Sequence, residues 1–257
     1  MKPIHPFFED KFQPFVHRGC GVNLTENTLE SFKESVDLGY KYIETDLRLS
    51  KDERVIVFHD DNFNRLANIN KTVNSLNLNE INNIKLIKGG TILELGNLLE
   101  EFPNVKFNID IKDAKTLIPT IKILDSFNAY SRVCIASFKS PILWRLKKIR
   151  PQSCVSMGVF DIVAFKIFHK IINDVDCIQV PLKWKGINVF TKSLTEMAHL
   201  NNLKVHVWTI NSEDEIVKMI NLKVDGIMTD NAVLLKKITE KYKLFDFTLS
   251  DKKLNIL

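Results

Sequence analysis

Glu44-Thr45-Asp46 and Asp110-Ile111-Lys112 each place two ionic side chains at a spacing of two residues. Alternate side chains of an extended strand share a face, so Glu44 points with Asp46 and Asp110 with Lys112. Carried on neighbouring strands, the carboxylates of Glu44, Asp46 and Asp110 would converge on one hard divalent cation, Mg2+ or Ca2+, with water or a phosphate oxygen completing its shell. Two histidines stand at comparable places, in His17-Arg18-Gly19 and Phe58-His59-Asp60. Cleaving a phosphodiester needs a base to generate the attacking oxygen and an acid to protonate the leaving alkoxide. Histidine titrates nearest neutral pH, so His17 and His59 suit those two tasks. Which histidine takes which task stays open. Arg18 and Lys112 supply positive charge for phosphoryl oxygens that become more negative in the transition state.

Each of these residues also has a plainer reading. An acidic i, i+2 pair is common on a solvated strand edge, where it meets a cross-strand lysine. A single histidine in an apolar strand is more often a hydrogen-bonded core residue. The coincidence of two histidines and three acids at strand ends argues against both. Gly19 and Gly21 let backbone approach closely at the first strand-to-helix turn, a weak sign of phosphate binding when taken alone. Trp208 is read as a wall of the substrate pocket, with filling of the barrel top as its alternative. His5, His169, His199 and His206 lack acidic company and are given no role.

The elements that must position these residues follow an alternating pattern. Short β-branched or apolar runs lie near 15–17, 42–47, 105–111, 133–137, 154–157, 177–180, 204–208 and 226–229, with a further extended piece at 55–59. Helix-compatible stretches separate them, which is the signature of parallel βαβ units. The first helix is marked by Leu29, Phe32, Val36 and Leu38, with Gly39 at its stop and Thr25 or Asn27 expected at its start. Later helices are expected at 92–101, 115–127, 141–149, 161–172, 191–200, 213–220 and 232–241. Eight such units close most simply as an α/β TIM (β/α)8 barrel, whose chemistry sits at the C-terminal ends of the strands. The chain, 1–257, is read as a single domain, with the asparagine-rich segment 62–83 as a lid-like excursion after the second βα region.

Composition narrows the class further. An apolar fraction of 45% and a charged fraction of 26% are those of an ordinary globular protein, and the net charge of +5 favours an anionic partner only weakly. The first fifteen residues carry Pro3, Pro6, Glu9, Asp10 and Pro14 without a continuous apolar core, so neither a signal peptide nor a membrane anchor is expected and the protein is read as cytoplasmic. Cys20, Cys134, Cys154 and Cys177 lack C-x-x-C spacing, and neither disulfides nor a zinc site is expected. Lysine clusters at 147–148, 183–185 and 236–237 read as solvated surface. They lack interleaved stacking aromatics, so no nucleic-acid partner is expected. The run Val159 to Ile172 is rich in Phe and Ile but too short and too charged to span a bilayer. A helix packed on the outside of the barrel explains it before an interfacial membrane helix does, with peripheral membrane contact as the alternative.

Taken together, His17-Arg18-Gly19, Glu26-Asn27-Thr28, Glu44-Thr45-Asp46, His59-Asp60 and Asp110-Ile111-Lys112 resemble the glycerophosphodiester phosphodiesterase family pattern of H-R-G, E-N-T, E-x-D, H-D and E-x-K. Ser137-Phe138, Val207-Trp208-Thr209-Ile210-Asn211 and Asp225-Gly226-Ile227-Met228-Thr229-Asp230 are similar to its later blocks, so the resemblance covers nearly the whole chain. It implies a TIM barrel, a divalent metal on Glu44, Asp46 and Asp110, acid–base histidines at 17 and 59, and a small-molecule glycerophosphodiester as substrate. Three positions depart from the pattern. Asp110 replaces a glutamate, Thr25 a proline, and Glu53 the glycine of a K-D-G turn. The short segment between Asp60 and Thr91 implies a bacterial-type cytoplasmic enzyme with an open mouth. Rival readings are a lysophospholipase D type hydrolase acting on lipid substrates, a Schiff-base aldolase using Lys112, and a non-catalytic phosphodiester-binding protein.

Overall fold

The computed structural model describes residues 3–19, 23–171 and 173–247. Eight parallel strands form the barrel: β1 (Gln13–His17), β2 (Tyr42–Leu49), β3 (Lys106–Ile111), β4 (Val133–Ala136), β5 (Cys154–Val155), β6 (Cys177–Pro181), β7 (Lys204–Trp208) and β8 (Gly226–Thr229). They pair in the order β5-β4-β3-β2-β1-β8-β7-β6. A parallel bridge between Ser156 and Cys177 links the two ends of that order, so the barrel is nearly closed. Eight helices follow the strands: α1 (Leu29–Asp37), α2 (Leu95–Glu101), α3 (Leu117–Ser126), α4 (Ser140–Ile149), α5 (Val159–Phe168), α6 (Lys192–Leu200), α7 (Glu213–Asn221) and α8 (Ala232–Lys241). The expected (β/α)8 fold is present. Among the described residues no helix is long and apolar enough to cross a membrane.

Strand alternation divides the core in two. Ile43, Leu47, Phe107, Ile109 and Ile111 pack outward with the buried leucines of α2 and α3, whereas the in-register partners between them face inward. The inner floor is aromatic. The turn Pro6–Phe8 tucks under the barrel, and Phe7 packs on Phe15 and Tyr42 at ring-centroid distances of 6.2 and 5.7 Å. Lys106 caps that turn by donating to the carbonyls of Pro6 and Phe7. The proline-punctuated N-terminus is thus part of the core. Cys134, Cys154 and Cys177 are buried free thiols in the barrel wall, while Cys20 lies outside the described residues.

One local expectation is corrected. Neither Thr25 nor Asn27 caps α1. Thr28 does, accepting from Ser31 N while Ser31 Oγ accepts from Thr28 N in a reciprocal box. The extended piece near 55–59 is a three-residue strand, Val55–Val57, antiparallel to β2 and outside the parallel barrel. The excursion that follows holds a small hairpin, Asn62–Phe63 with Ile69–Thr72, around a core of Ile56, Phe58, Phe63, Val73, Leu76 and Ile81. A second hairpin, Lys183–Trp184 with Ile187–Asn188, rises from the β6–α6 connection where only a lysine cluster was read.

Candidate active site

The parallel register brings the acids together. Asp46 lies opposite Asp110 and Glu44 opposite Asn108, and on the other side His17 lies opposite Glu44. His17, Arg18, Glu44, Asp46, His59, Asp110, Lys112 and Trp208 all line one cavity of about 480 Å³ at the C-terminal mouth of the barrel. Gly21 lies outside the described residues. Gly19 does not face the cavity: at φ +64° a β-carbon there would stand 2.6 Å from the Phe32 ring, so this glycine lets β1 turn tightly into α1. Arg18 beside it also adopts a left-handed φ of 57°, a conformation that costs free energy for a residue with a side chain.

Ion pairs tie the floor of the cavity. Lys112 Nζ stands 2.6 Å from Asp46 Oδ1 and 2.5 Å from Asp110 Oδ2. Arg18 Nε lies 3.2 Å from Asp46 Oδ2, and its Nη1 donates to Glu26 at 2.9 Å. Asn27 Nδ2 donates to the same Asp46 oxygen at 2.9 Å, and Arg18 N donates to Glu44 Oε2 at 3.2 Å. Burial raises the Glu44 carboxyl well above the usual range, and the neighbouring Asp46 charge adds to it. Burial works the same way on Asp46, but Lys112 and Arg18 outweigh it and hold that carboxyl low. Asp110 is raised by burial and by Asp46, against the pull of Lys112.

The two imidazoles are each held by a carboxylate. His17 Nδ1 donates to Asp230 Oδ1 at 2.7 Å, leaving Nε2 3.7 Å from Glu44 Oε2. His59 Nδ1 donates to Asp60 Oδ1 at 2.7 Å. Their environments pull them apart. Burial opposes charge on His17, yet Glu44 and Asp230 together raise its pKa above the ordinary value. Burial lowers His59, and the nearby Lys112 lowers it further, more than Asp46 and Asp60 restore. Opposite displacements of two titrating groups in one cavity are the arrangement that acid–base catalysis uses.

Several participants had no role assigned from sequence. Asn108 shares its face with Asp110, and Asp230 follows the end of β8, so alternation and the strand-end rule point to both. Asn211 steadies Asp230 by donating at 2.9 Å. Arg65, from the excursion, donates to both Asp60 and Glu26 and so links the two histidine sides of the mouth, with no periodic signal to announce it. On the far wall, Trp208 meets Phe138 at 5.7 Å and Trp184 at 6.4 Å between ring centroids.

Three carboxylates offer hard oxygen donors to a divalent cation, and Asp110 Oδ1 is buried without a hydrogen-bond partner. The donor set therefore suits Mg2+ or Ca2+ in kind. Among the described residues, however, no three His, Cys, Asp or Glu side chains are already gathered as a metal-binding group.

A parallel barrel with an acid–base cluster at its strand ends defines the class as a TIM-barrel enzyme. A family model described as the glycerophosphoryl diester phosphodiesterase family matches residues 17–234. The chain is 30% identical over 233 residues to a Mycobacterium tuberculosis protein named "Probable glycerophosphodiester phosphodiesterase 2", covering 86% of this chain and 88% of that protein. It is 29% identical over 240 residues to a glycerophosphodiester phosphodiesterase from Caldanaerobacter subterraneus, covering 88% and 96%. Its fold matches an Oleispira antarctica phosphodiesterase solved in complex with the product sn-glycerol-3-phosphate, with a TM-score of 0.75, 21% identity and coverage of 90% and 96%. The chain belongs to the glycerophosphoryl diester phosphodiesterase family.

Proposed function

We propose that the chain hydrolyses glycerophosphodiesters to glycerol 3-phosphate and an alcohol, with His59 as general base and His17 as general acid. The observation that carries this reading is the pair of imidazoles in one cavity, each with Nδ1 held by its own carboxylate and with opposite pKa displacements. With Nδ1 protonated, His59 Nε2 has the lone pair that takes a proton from water or from a hydroxyl of the substrate. His17 gives its Nε2 proton to the departing alkoxide oxygen. Arg18 and Lys112 meet the charge on the phosphoryl oxygens, and Trp208 with Phe138 walls the alcohol side. Glu44, Asp46 and Asp110 would hold a divalent cation, which when bound supplies Lewis-acid polarisation of the phosphoryl group.

The Schiff-base alternative is disfavoured by charge. Burial lowers the Lys112 ammonium, but Asp46 and Asp110 more than reverse this, so the amine stays protonated and non-nucleophilic. A lysophospholipase D type activity is the second reading, favoured by the apolar far wall of Val159, Val163, Trp184 and Ile187.

The test is hydrolysis of glycerophosphocholine with product identification, with and without chelator, for the wild type and for His17→Ala and His59→Ala. Each variant is expected to lose a factor of about 10² to 10⁴, and chelator to abolish turnover until Mg2+ or Ca2+ is returned. Full activity in both variants rejects the histidine assignment. Undiminished turnover in chelator rejects the cation. Tight binding without turnover supports a binding protein instead, and lysolipid preferred over glycerophosphocholine supports the second reading.

A further inference from the structure

The helix α5 buries one face and leaves another apolar face bare. Val159, Val163 and Ile167 recur every four residues and are 47%, 49% and 63% exposed, with Phe168 at 72% beside the helix end. That spacing makes a single stripe about 12 Å long. The second hairpin extends it, since Lys166 Nζ donates to the carbonyls of Asn188 and Val189 and so fastens the hairpin to the helix. The hairpin tip adds Trp184 and Ile187, at 47% and 70% exposure. An apolar patch of this extent, continuous over two elements, marks a surface that something covers.

The geometry points to an anionic lipid bilayer as the occupant. Lys170, Lys183 and Lys185 are exposed at the edge of the patch. The acids nearby are engaged: Asp161 is buried and accepts from Trp144 and Asn173, while Asp174 pairs with Lys147 at 3.2 Å and Glu196 with Lys192 at 3.5 Å. An apolar stripe with an interfacial tryptophan and a lysine fringe matches the layering of a bilayer whose headgroups are negative. The cavity opens through this same patch, because Val159, Val163, Trp184 and Ile187 line it. A second copy of the chain or a folded partner seated there would stopper the cavity, whereas a fluid lipid surface leaves it accessible. This inference rests on reading the cavity as the phosphodiester site. It adds that the site faces the plane in which chain-bearing phosphodiesters lie.

The full chain is tested by co-flotation with vesicles of phosphatidylcholine alone or mixed with phosphatidylglycerol, alongside glycerophosphocholine hydrolysis without vesicles. The wild type is expected to float with the anionic vesicles and to release in high salt. Removing Lys170 and Lys185 together, as Lys170→Ala with Lys185→Ala, is expected to weaken binding about fivefold for each lysine. Ile167→Glu, which leaves the cavity lining intact, is expected to abolish flotation while soluble turnover stays unchanged. A wild type that never floats, an Ile167→Glu variant that floats as well as wild type, or concentration-dependent self-association lost in Ile167→Glu overturns the docking surface. Normal flotation with no glycerophosphocholine turnover supports the surface and counts against the catalytic reading alone.

Discussion

The paired carboxylates and imidazoles form couples whose separate parts have opposite effects. Glu44 and Asp230 together raise the His17 pKa, so the charged imidazole persists above its ordinary titration range, while partly buried His59 stays neutral below that range. On the proposed assignment the active combination is His17 charged and His59 neutral, which spans the interval between a lowered and a raised pKa. A kcat/KM profile is expected to show a broad plateau around pH 6.5, the ordinary histidine value. Asp230→Asn removes one of the two charges that raise His17, leaving Glu44, so the alkaline limb should move to lower pH and the acid limb stay in place. An unchanged alkaline limb would contradict this coupling. A second residue-scale prediction concerns Glu53, which sits at φ 60° in a turn where a glycine would be unstrained. Glu53→Gly is expected to raise stability by about 0.5–1 kcal/mol, read as a higher melting temperature. The acids were legible because alternation is local to a strand. The partners of Thr25 and Asn27 were not: Thr25 donates to the Gly89 carbonyl at 2.6 Å, and Asn27 donates to Asp46 while its Oδ1 accepts from Thr45, so both side chains are directed to residues distant in sequence and away from the start of α1.

Among elements, the excursion after the Val55–Val57 strand contributes through Arg65. This guanidinium joins Asp60, the carboxylate behind His59, to Glu26, the carboxylate behind Arg18. Arg65 is nearly half exposed, at 47%, so its ion pairs contribute at most about 1 kcal/mol to folding. Its effect on alignment is expected to be larger: Arg65→Ala should lower turnover roughly tenfold or more while the unfolding midpoint hardly moves. Equal losses in both would make Arg65 a stability residue. The strands and helices of the barrel were readable because hydrophobic period and Gly punctuation agree along most of the chain. The hairpin at 183–188 was missed for a physical reason: Lys183, Lys185 and Gly186 resemble a solvated turn, and the structure alone shows Trp184 reaching the cavity.

Across the whole molecule, a polar chain crosses the barrel beneath the site. Gln179 donates to Asn108 at 2.7 Å and contacts His206 Nδ1 at 3.2 Å, and His206 Nε2 lies 3.3 Å from Gln13 Oε1. His206, without a role in the sequence reading, is a core histidine. Burial lowers its pKa to about 4, with Asp225 only partly opposing. The unfolded chain, with a histidine near 6.5, then binds the extra proton between these values. Stability from this residue is present above pH 6.5 and lost as pH falls toward 4, by about 3 kcal/mol in all. Urea unfolding from pH 7.5 to 4.5 should show this slope, and His206→Gln should flatten it. Identical slopes would remove His206 as the cause.

The barrel's pairing is also uneven. β2 and β3 are matched through six consecutive residues, from Tyr42 with Lys106 to Leu47 with Ile111, whereas β5 has two residues and meets β6 through one bridge. Amide exchange should therefore be slowest behind the carboxylates and fastest along the β5–β6 seam, where uniform protection would refute the asymmetry. One half of the ring acts as an anvil that keeps charges in register. The β5–β6 seam, joined at one bridge, is where the ring is expected to part first.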